Sequence, residues 1–479
     1  MLKRLGYGVA LAALATLALC GATAKAQVTV LKNFTLIDGT GHAPEANYAL
    51  IIGEDGRISW VGPVGELQAP AGAKTVDLTG KYLLPGLIDG HVHLALTQNQ
   101  VQNAKFYTKA NIEKDLKTYA AYGVTAVAVY GTDENSIYPI RNQQRAGRPT
   151  EARIFTAGQG IVYKGGYGGA LGITIPVATN AEAIKEVDED AAHGADFIKF
   201  WMDDEHHMIP VKMPYSMSAA IIAEAHKHHL KVVAHVYYLA DAEELLRQGI
   251  DGFAHEVRDQ PVNQEFLDLM KSHGAWQAEA TLSREASYSW AIMPFLEDPF
   301  FERGVSQGTL DVLRSPEREK NVVLGYASVA GLPYKKKVFW DYDRVFWQAL
   351  TNFDAEAKAG IHYGMGTDSG PPGRFPGFNA HEELQLMVMD GLTPMQAIVA
   401  ATSSNAKWLG ANDIGTVARG KWADLLVLDR DPLEDIRNTR TIDAVYIAGN
   451  PVQTIWQSCW NGHPSECTGG RLTGPEMPY

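Results

Sequence analysis

Cysteine is scarce in this chain, with 3 in 479 residues. That excludes a disulfide-built scaffold and a four-cysteine zinc module. Positive charge is also short: 42 Lys and Arg face 55 Asp and Glu, for a net charge of −13. With no Lys/Arg-rich run, the chain is unsuited to nucleic acid. No long apolar stretch follows residue 26, so no membrane span is expected in the mature chain. Gly165-Gly166-Tyr167-Gly168-Gly169 lacks the strand–turn–helix spacing of a dinucleotide fingerprint. What remains is an ordinary globular composition, 20% charged and 46% hydrophobic. At about 100–200 residues per domain the length allows two to four domains, although one large α/β barrel can use most of it.

The first 26 residues read as an export signal. Lys3 and Arg4 precede an apolar run from Val9 to Leu19, and Ala24-Lys25-Ala26 forms a cleavage site before Gln27. The expected location is therefore periplasmic or secreted. Cys20 would leave with the signal. Cys459 and Cys467 remain in a tail over 458–479, where a local disulfide or two free thiols would both fit an exported protein.

The texture changes twice along the chain. Short β-type runs with Asp-Gly turns occupy 27–84 and return over 412–457, including Gly415–Val417, Asp424–Leu428 and Ala444–Ile447. Both chain ends are expected to build one small β-sandwich. Between them, over 85–411, strand-like runs alternate with helix-like segments, and glycine precedes many of the strands. Eight such strands fit, from Gly86–His91 to Ile361–Gly366. The fold class expected is α/β, a (β/α)8 TIM-type barrel, with an open doubly wound sheet as the rival. A long insertion at about 283–341 is rich in aromatics, among them Tyr288, Phe295, Phe300, Phe301 and Trp340. It reads either as a lid or as a cluster packed on the barrel wall.

Chemistry-bearing residues fall at the strand ends. His91 and His93 close the first barrel strand, and positions i and i+2 project to one side. His235 and His255 end two consecutive strands, one helix plus one strand apart, at the face where barrel enzymes keep their sites. Asp368 follows the last strand, where a carboxylate can bind a metal and move a proton. Lys199 lies in the apolar run Ala195–Trp201, and a buried neutral amine there could add carbon dioxide to become a carbamate. Snorkelling to solvent is the plainer outcome for that lysine. Met202-Asp203-Asp204-Glu205 reads as an acidic loop at the site mouth or as a solvated surface loop.

Taken together, these residues resemble the metal-dependent amidohydrolase superfamily, in its imidazolonepropionase-like and bacterial prolidase-like branch. The resemblance runs from Val28 to Val452 and includes Pro85-Gly86-Leu87-Ile88-Asp89-Gly90-His91-Val92-His93 and the late Gly420–Leu428 segment. It implies two divalent metal ions, expected to be zinc, with His91, His93 and Asp368 on one and His235 and His255 on the other. Carboxylated Lys199 would bridge them. Members of the branch often carry Gly-Gly-His where this chain has Gly165-Gly166-Tyr167. Tyrosine can donate a hydrogen bond but cannot replace histidine as a base.

The implied activity is hydrolysis of an amide bond, in a dipeptide or N-acyl amino acid, by a metal-bridging hydroxide. Asp368 would be the catalytic acid and base. Tyr167, Tyr237, Tyr238 and Arg374 are the candidates for holding this small-molecule substrate, with Arg374 meeting a free carboxylate. A lactonase, carbamate hydrolase or phosphotriesterase would use the same site, and a periplasmic protein that binds metal or solute without turnover is the reading from another class. Assembly into a homo-oligomer is left open.

Overall fold

The protein is described here by a computed structural model that covers residues 27–169, 172–204, 207, 209–277, 281–289, 295–317 and 342–452. The expected export signal and both tail cysteines lie outside these residues.

Two chain ends meet in one sheet. The amino-terminal part supplies β1 (Thr29–Leu36), β2 (Glu45–Ile52), β3 (Ile58–Pro63), β4 (Lys74–Asp77) and β5 (Tyr82–Pro85). The barrel region then runs through β6 (Leu87–Val92), a small hairpin of β7 (Thr97–Gln98) and β8 (Val101–Gln102), β9 (Val124–Val129) and β10 (Arg153–Thr156). It continues with β11 (Ile161–Tyr163), β12 (Ile175–Val177), β13 (Ile198–Trp201), β14 (Val232–His235), β15 (Gly252–Phe253), β16 (Trp276–Gln277) and β17 (His362–Tyr363). The carboxy-terminal part adds β18 (Leu425–Leu428), β19 (Ile442–Ile447) and β20 (Asn450–Pro451).

The terminal strands pair in the order β20-β19-β18-β5-β1-β2-β3, with β4 beside β1. This is one hydrogen-bonded sheet that doubles over, because Arg57 at the start of β3 bridges Trp422 just before β18. Leu31, Phe34, Leu50, Ile58, Leu83 and Val427 fill the fold of the sheet. The expected strand at Gly415–Val417 does not form. That segment is irregular and is tied by Val417 N–H donating to the Asp38 carbonyl at 3.0 Å.

The TIM-type barrel is present, and its ring can be followed bond by bond. β6 pairs β9 and β9 pairs β10, all parallel. The third strand breaks after Thr156, and its second half, β11, turns to meet β13 through Ile161 and Phe200. β13, β14, β15, β16 and β17 follow in parallel register. Residues after β17 close the ring: Gly90 N–H donates to Met365 O at 2.9 Å and His93 N–H to Ser369 O at 2.8 Å. β6 and β9 are buried at every position, as befits parallel strands covered on both faces.

Local chemistry starts and stops the helices between strands. Thr179 and Glu182 form a reciprocal capping box on helix Asn180–His193, and Gly194 ends it at φ 80°, a left-handed turn into β13. Helices Ile137–Ala146 and Phe378–Met389 were not legible as separate periods. The described part of the aromatic insertion packs on the barrel wall. Phe301 meets Phe375 at 4.7 Å, Phe295 meets Phe378 at 5.0 Å and Phe300 meets Tyr122 at 4.9 Å, by ring centroids.

One buried ion pair joins the barrel to the terminal sheet. Arg153 of β10 donates to both Asp424 oxygens, at 2.6 and 3.2 Å, and Asp424 also accepts Ala448 N–H at 2.6 Å. Removing one partner strands the other charge away from water. Asp424→Ala is therefore expected to cost about 3–5 kcal/mol of stability. Chemical denaturation checks this, and a loss below about 1 kcal/mol would reduce the pair to a surface-like contact.

Candidate metal centre and active site

The pleat and the ring closure bring six of the anticipated side chains to one place. His91 lies on β6, and His93 follows its last residue. His235 ends β14, His255 lies two residues past β15, and Asp368 sits five residues past β17. Lys199 is lower on β13, opposite Val233, and its amine rises between the rings of Tyr130 and Trp201, 5.4 and 4.9 Å from their centroids. All six are buried, with Lys199 only 1% exposed. Solvent snorkelling of that lysine is therefore not what the fold provides.

Each of three imidazoles is held from behind. His91 Nδ1 donates to the Ala254 carbonyl at 3.3 Å. His93 Nδ1 meets Thr132 Oγ1 at 2.6 Å and His255 Nδ1 meets Thr281 Oγ1 at 3.1 Å. The Nε2 atoms turn inward. Burial pushes all four histidines below the ordinary imidazole range, His235 to about 4. They are thus neutral near pH 7, the form that donates a lone pair to a metal. An anchored Nδ1 behind an inward Nε2 is the second layer that metal-binding histidines need.

Asp368 is the centre of charge. Its Oδ1 lies 2.9 Å from His93 Nε2 and 3.7 Å from His91 Nε2. Its Oδ2 lies 2.9 Å from Arg284 Nε and 4.0 Å from His255 Nε2, and Arg374 Nη1 also grips it. Burial alone would raise its pKa. Arg374, His91 and His93 overcome that and hold the carboxyl well below its usual range. The backbone is shaped for this role: Asp368 has φ 51°, and its N–H donates to His91 O at 2.7 Å. Gly370 follows at φ 119°, where a side chain would strike the His93 carbonyl at 1.9 Å.

Donor atoms of His91, His255 and Asp368 all lie within 4.8 Å of one another. The resemblance had paired His255 with His235. His255 lies beside both groups: its ring centroid is 4.2 Å from that of His235 and 5.0 Å from that of His91, and His235 Nε2 also faces Asp203 Oδ2 at 3.1 Å. Imidazole and carboxylate donors in this mixture suit zinc and its borderline neighbours, so the residues fit a metal centre. A cavity of about 50 Å³ lies among them, lined also by Tyr167, Trp201, Gln102, Thr132 and Arg374. That is room for a few ions or waters, at about 10–15 Å³ per water-sized probe sphere.

The four anticipated substrate residues separate. Tyr167 lines the cavity, with its ring 5.1 Å from His235. Arg374 lines it too, but lies against Asp368. Tyr237 and Tyr238 are not among the described lining residues. Tyr237 packs under Arg258, 5.4 Å away, and Tyr238 donates its hydroxyl to Asp204 at 2.8 Å. Of the two readings of the acidic segment, Asp203 fits the one at the site mouth, and Lys199, Trp201 and Asp203 share the period of two. Sequence reasoning missed Arg284, which lies in the insertion and carries no local signal. Asp89, inside the first-strand motif, braces the opposite loop by accepting Thr367 N–H and Oγ1 at 3.0 and 2.7 Å.

Set against known families, residues 82–340 and 343–452 match the Amidohydrolase family. The chain belongs to the amidohydrolase family. An imidazolonepropionase from Aromatoleum aromaticum is 34% identical over 116 residues, which span 24% of this chain and 27% of that relative. Another from Deinococcus deserti is 24% identical over 86% of this chain and 91% of its own length. A prolidase candidate from Bifidobacterium longum has 25% identity and a TM-score of 0.70, covering 89% of this chain and 95% of that one. This amidohydrolase is therefore a hydrolase. Among its described residues no helix is long and apolar enough to cross a membrane.

Because Arg374 grips Asp368, its removal should act through that carboxylate. Arg374→Met is expected to lower kcat/KM equally for an N-acyl amino acid and its uncharged amide. It should also move the acid limb of the pH profile upward, since Asp368 loses a cation that favours its ionised form. A loss confined to the carboxylate-bearing substrate would return Arg374 to the substrate.

Proposed function

We propose that this amidohydrolase is an exported, two-metal hydrolase that cleaves an amide bond in a dipeptide or N-acyl amino acid. The observation that carries the reading is the convergence of His91, His93, His235, His255, Lys199 and Asp368 on one buried cavity at the barrel mouth. The donor set supports zinc, and the prolidase candidate among the structural neighbours supports a peptide-like substrate. Export rests on Lys3, Arg4, the apolar run and Ala24-Lys25-Ala26.

Lys199 would take up carbon dioxide, its nitrogen bonding to the carbon and releasing one proton, to give a carbamate with two ligand oxygens. Bound by these residues, two divalent ions would supply the Lewis acidity that makes water nucleophilic and the scissile carbonyl electrophilic. The protein's own part in the reaction follows from the geometry. Asp368, held ionised by its arginine neighbours, accepts a proton from the attacking water. It then gives that proton to the leaving nitrogen, so that one water is consumed and an acid and an amine are released. Tyr167 can donate a hydrogen bond from the cavity wall to the substrate carbonyl or carboxylate.

The test uses the purified chain, with metal analysis beside a panel of dipeptides, N-acyl amino acids, lactones, carbamates and phosphotriesters. Amide turnover with two metals per chain is expected. Asp368→Asn should lower kcat by about 10²–10⁴-fold. Lys199→Met should reduce the bound metal from two ions to one. Bound metal with no turnover on any substrate would favour a binding protein, and preferential lactone or phosphotriester turnover would replace the amide assignment.

A further inference from the structure

A further carboxyl group stands behind the site. Glu383, on helix Phe378–Met389, is fully buried. Its two oxygens accept the backbone N–H groups of Leu282 and Ser283 at 2.8 and 2.7 Å. Those amides open helix Leu282–Ser289 and favour the ionised form of Glu383, against burial, which pushes its carboxyl up to about 8.

The segment held in this way touches the metal centre twice. Thr281, just before the helix, meets His255 Nδ1 through its hydroxyl at 3.1 Å. Arg284, within its first turn, reaches Asp368 Oδ2 with Nε at 2.9 Å. Thr281 is a β-branched residue at φ 44°, a conformation such residues avoid unless their surroundings impose it. Two clamps impose it here. Thr281 N–H donates to Gly366 O at 3.1 Å, and Glu383 takes the next two amides.

We propose that Glu383 is a positioning residue for this active site: by clamping the Leu282 and Ser283 amides it sets Thr281 on His255 and Arg284 on Asp368 together. One remote carboxylate thereby orients a histidine of the metal centre and the catalytic acid. The inference rests on the metal-centre reading of His255 and Asp368.

The test uses the full chain with Glu383→Gln, which preserves size but sets an amide donor against one of the two N–H groups. The first readout is the Arg284 Nε–H resonance in metal-free protein, assigned by its loss in Arg284→Lys. It should be protected in the parent and broadened by exchange in Glu383→Gln; an unchanged resonance overturns the proposal. In the loaded enzyme, zinc affinity and kcat should each fall by about 10-fold or more, with KM within about 3-fold. Combined with Arg284→Lys, Glu383→Gln should lower kcat by clearly less than the product of the two single losses, because the two changes share the Arg284–Asp368 contact. Multiplicative losses overturn the proposal. Should Glu383→Gln fail to fold, Glu383→Asp keeps the carboxyl group but shortens its reach to the two amides. It should broaden the same resonance, and no change there also overturns the proposal. Metal content and amide turnover of the parent chain test the hydrolase reading separately, since the resonance needs neither.

Discussion

One buried negative charge organises this molecule's working end. Asp368 lies in the closed barrel mouth with two histidines on one oxygen and two arginines on the other. A carboxylate so far from water persists only because those groups replace its hydration. The demand runs outward. The imidazoles must stay neutral with Nε2 inward, so each needs an acceptor or hydroxyl behind Nδ1. The arginines must be buried, so the loops that carry them must be held.

The scaffold meets that demand by dividing the labour. The ring of parallel strands sets the spacing of the histidines, because neighbouring strand ends lie about 5 Å apart. The loops at the carboxy-terminal ends of the strands then deliver Asp368, Arg374, Thr281 and Arg284 across the mouth. The break in the third strand frees the segment after Tyr163, and that segment brings Tyr167 to the cavity. At the other end the doubled terminal sheet is joined to the barrel through Arg153 and Asp424, far in sequence but directly bonded.

Much of this was legible along the chain. The first and last barrel strands fall on the anticipated runs Gly86–His91 and Ile361–Gly366, and strands alternate with helices between them. The six metal-centre candidates announce themselves by type and by place at strand ends. Other features were hidden. Asp203 carried a period-two signal that looked like an acidic loop. Tyr237 and Tyr238 follow His235 closely, and the turn there sets them against Arg258 and Asp204. The aromatic insertion offered a choice between lid and wall, and its described phenylalanines take the wall.

Sequence by itself determined the alternation of strand and helix, the pairing of both chain ends in one β-domain and the residues able to hold a metal. Each of these follows from local periodicity and from the chemistry of single side chains. Tertiary structure decided that Arg374 lies on Asp368, and that Arg284, Thr281 and Glu383 belong to the same network. Those contacts join residues separated by tens to hundreds of positions. Their energies come from burial and mutual distance, which exist only once the barrel has closed.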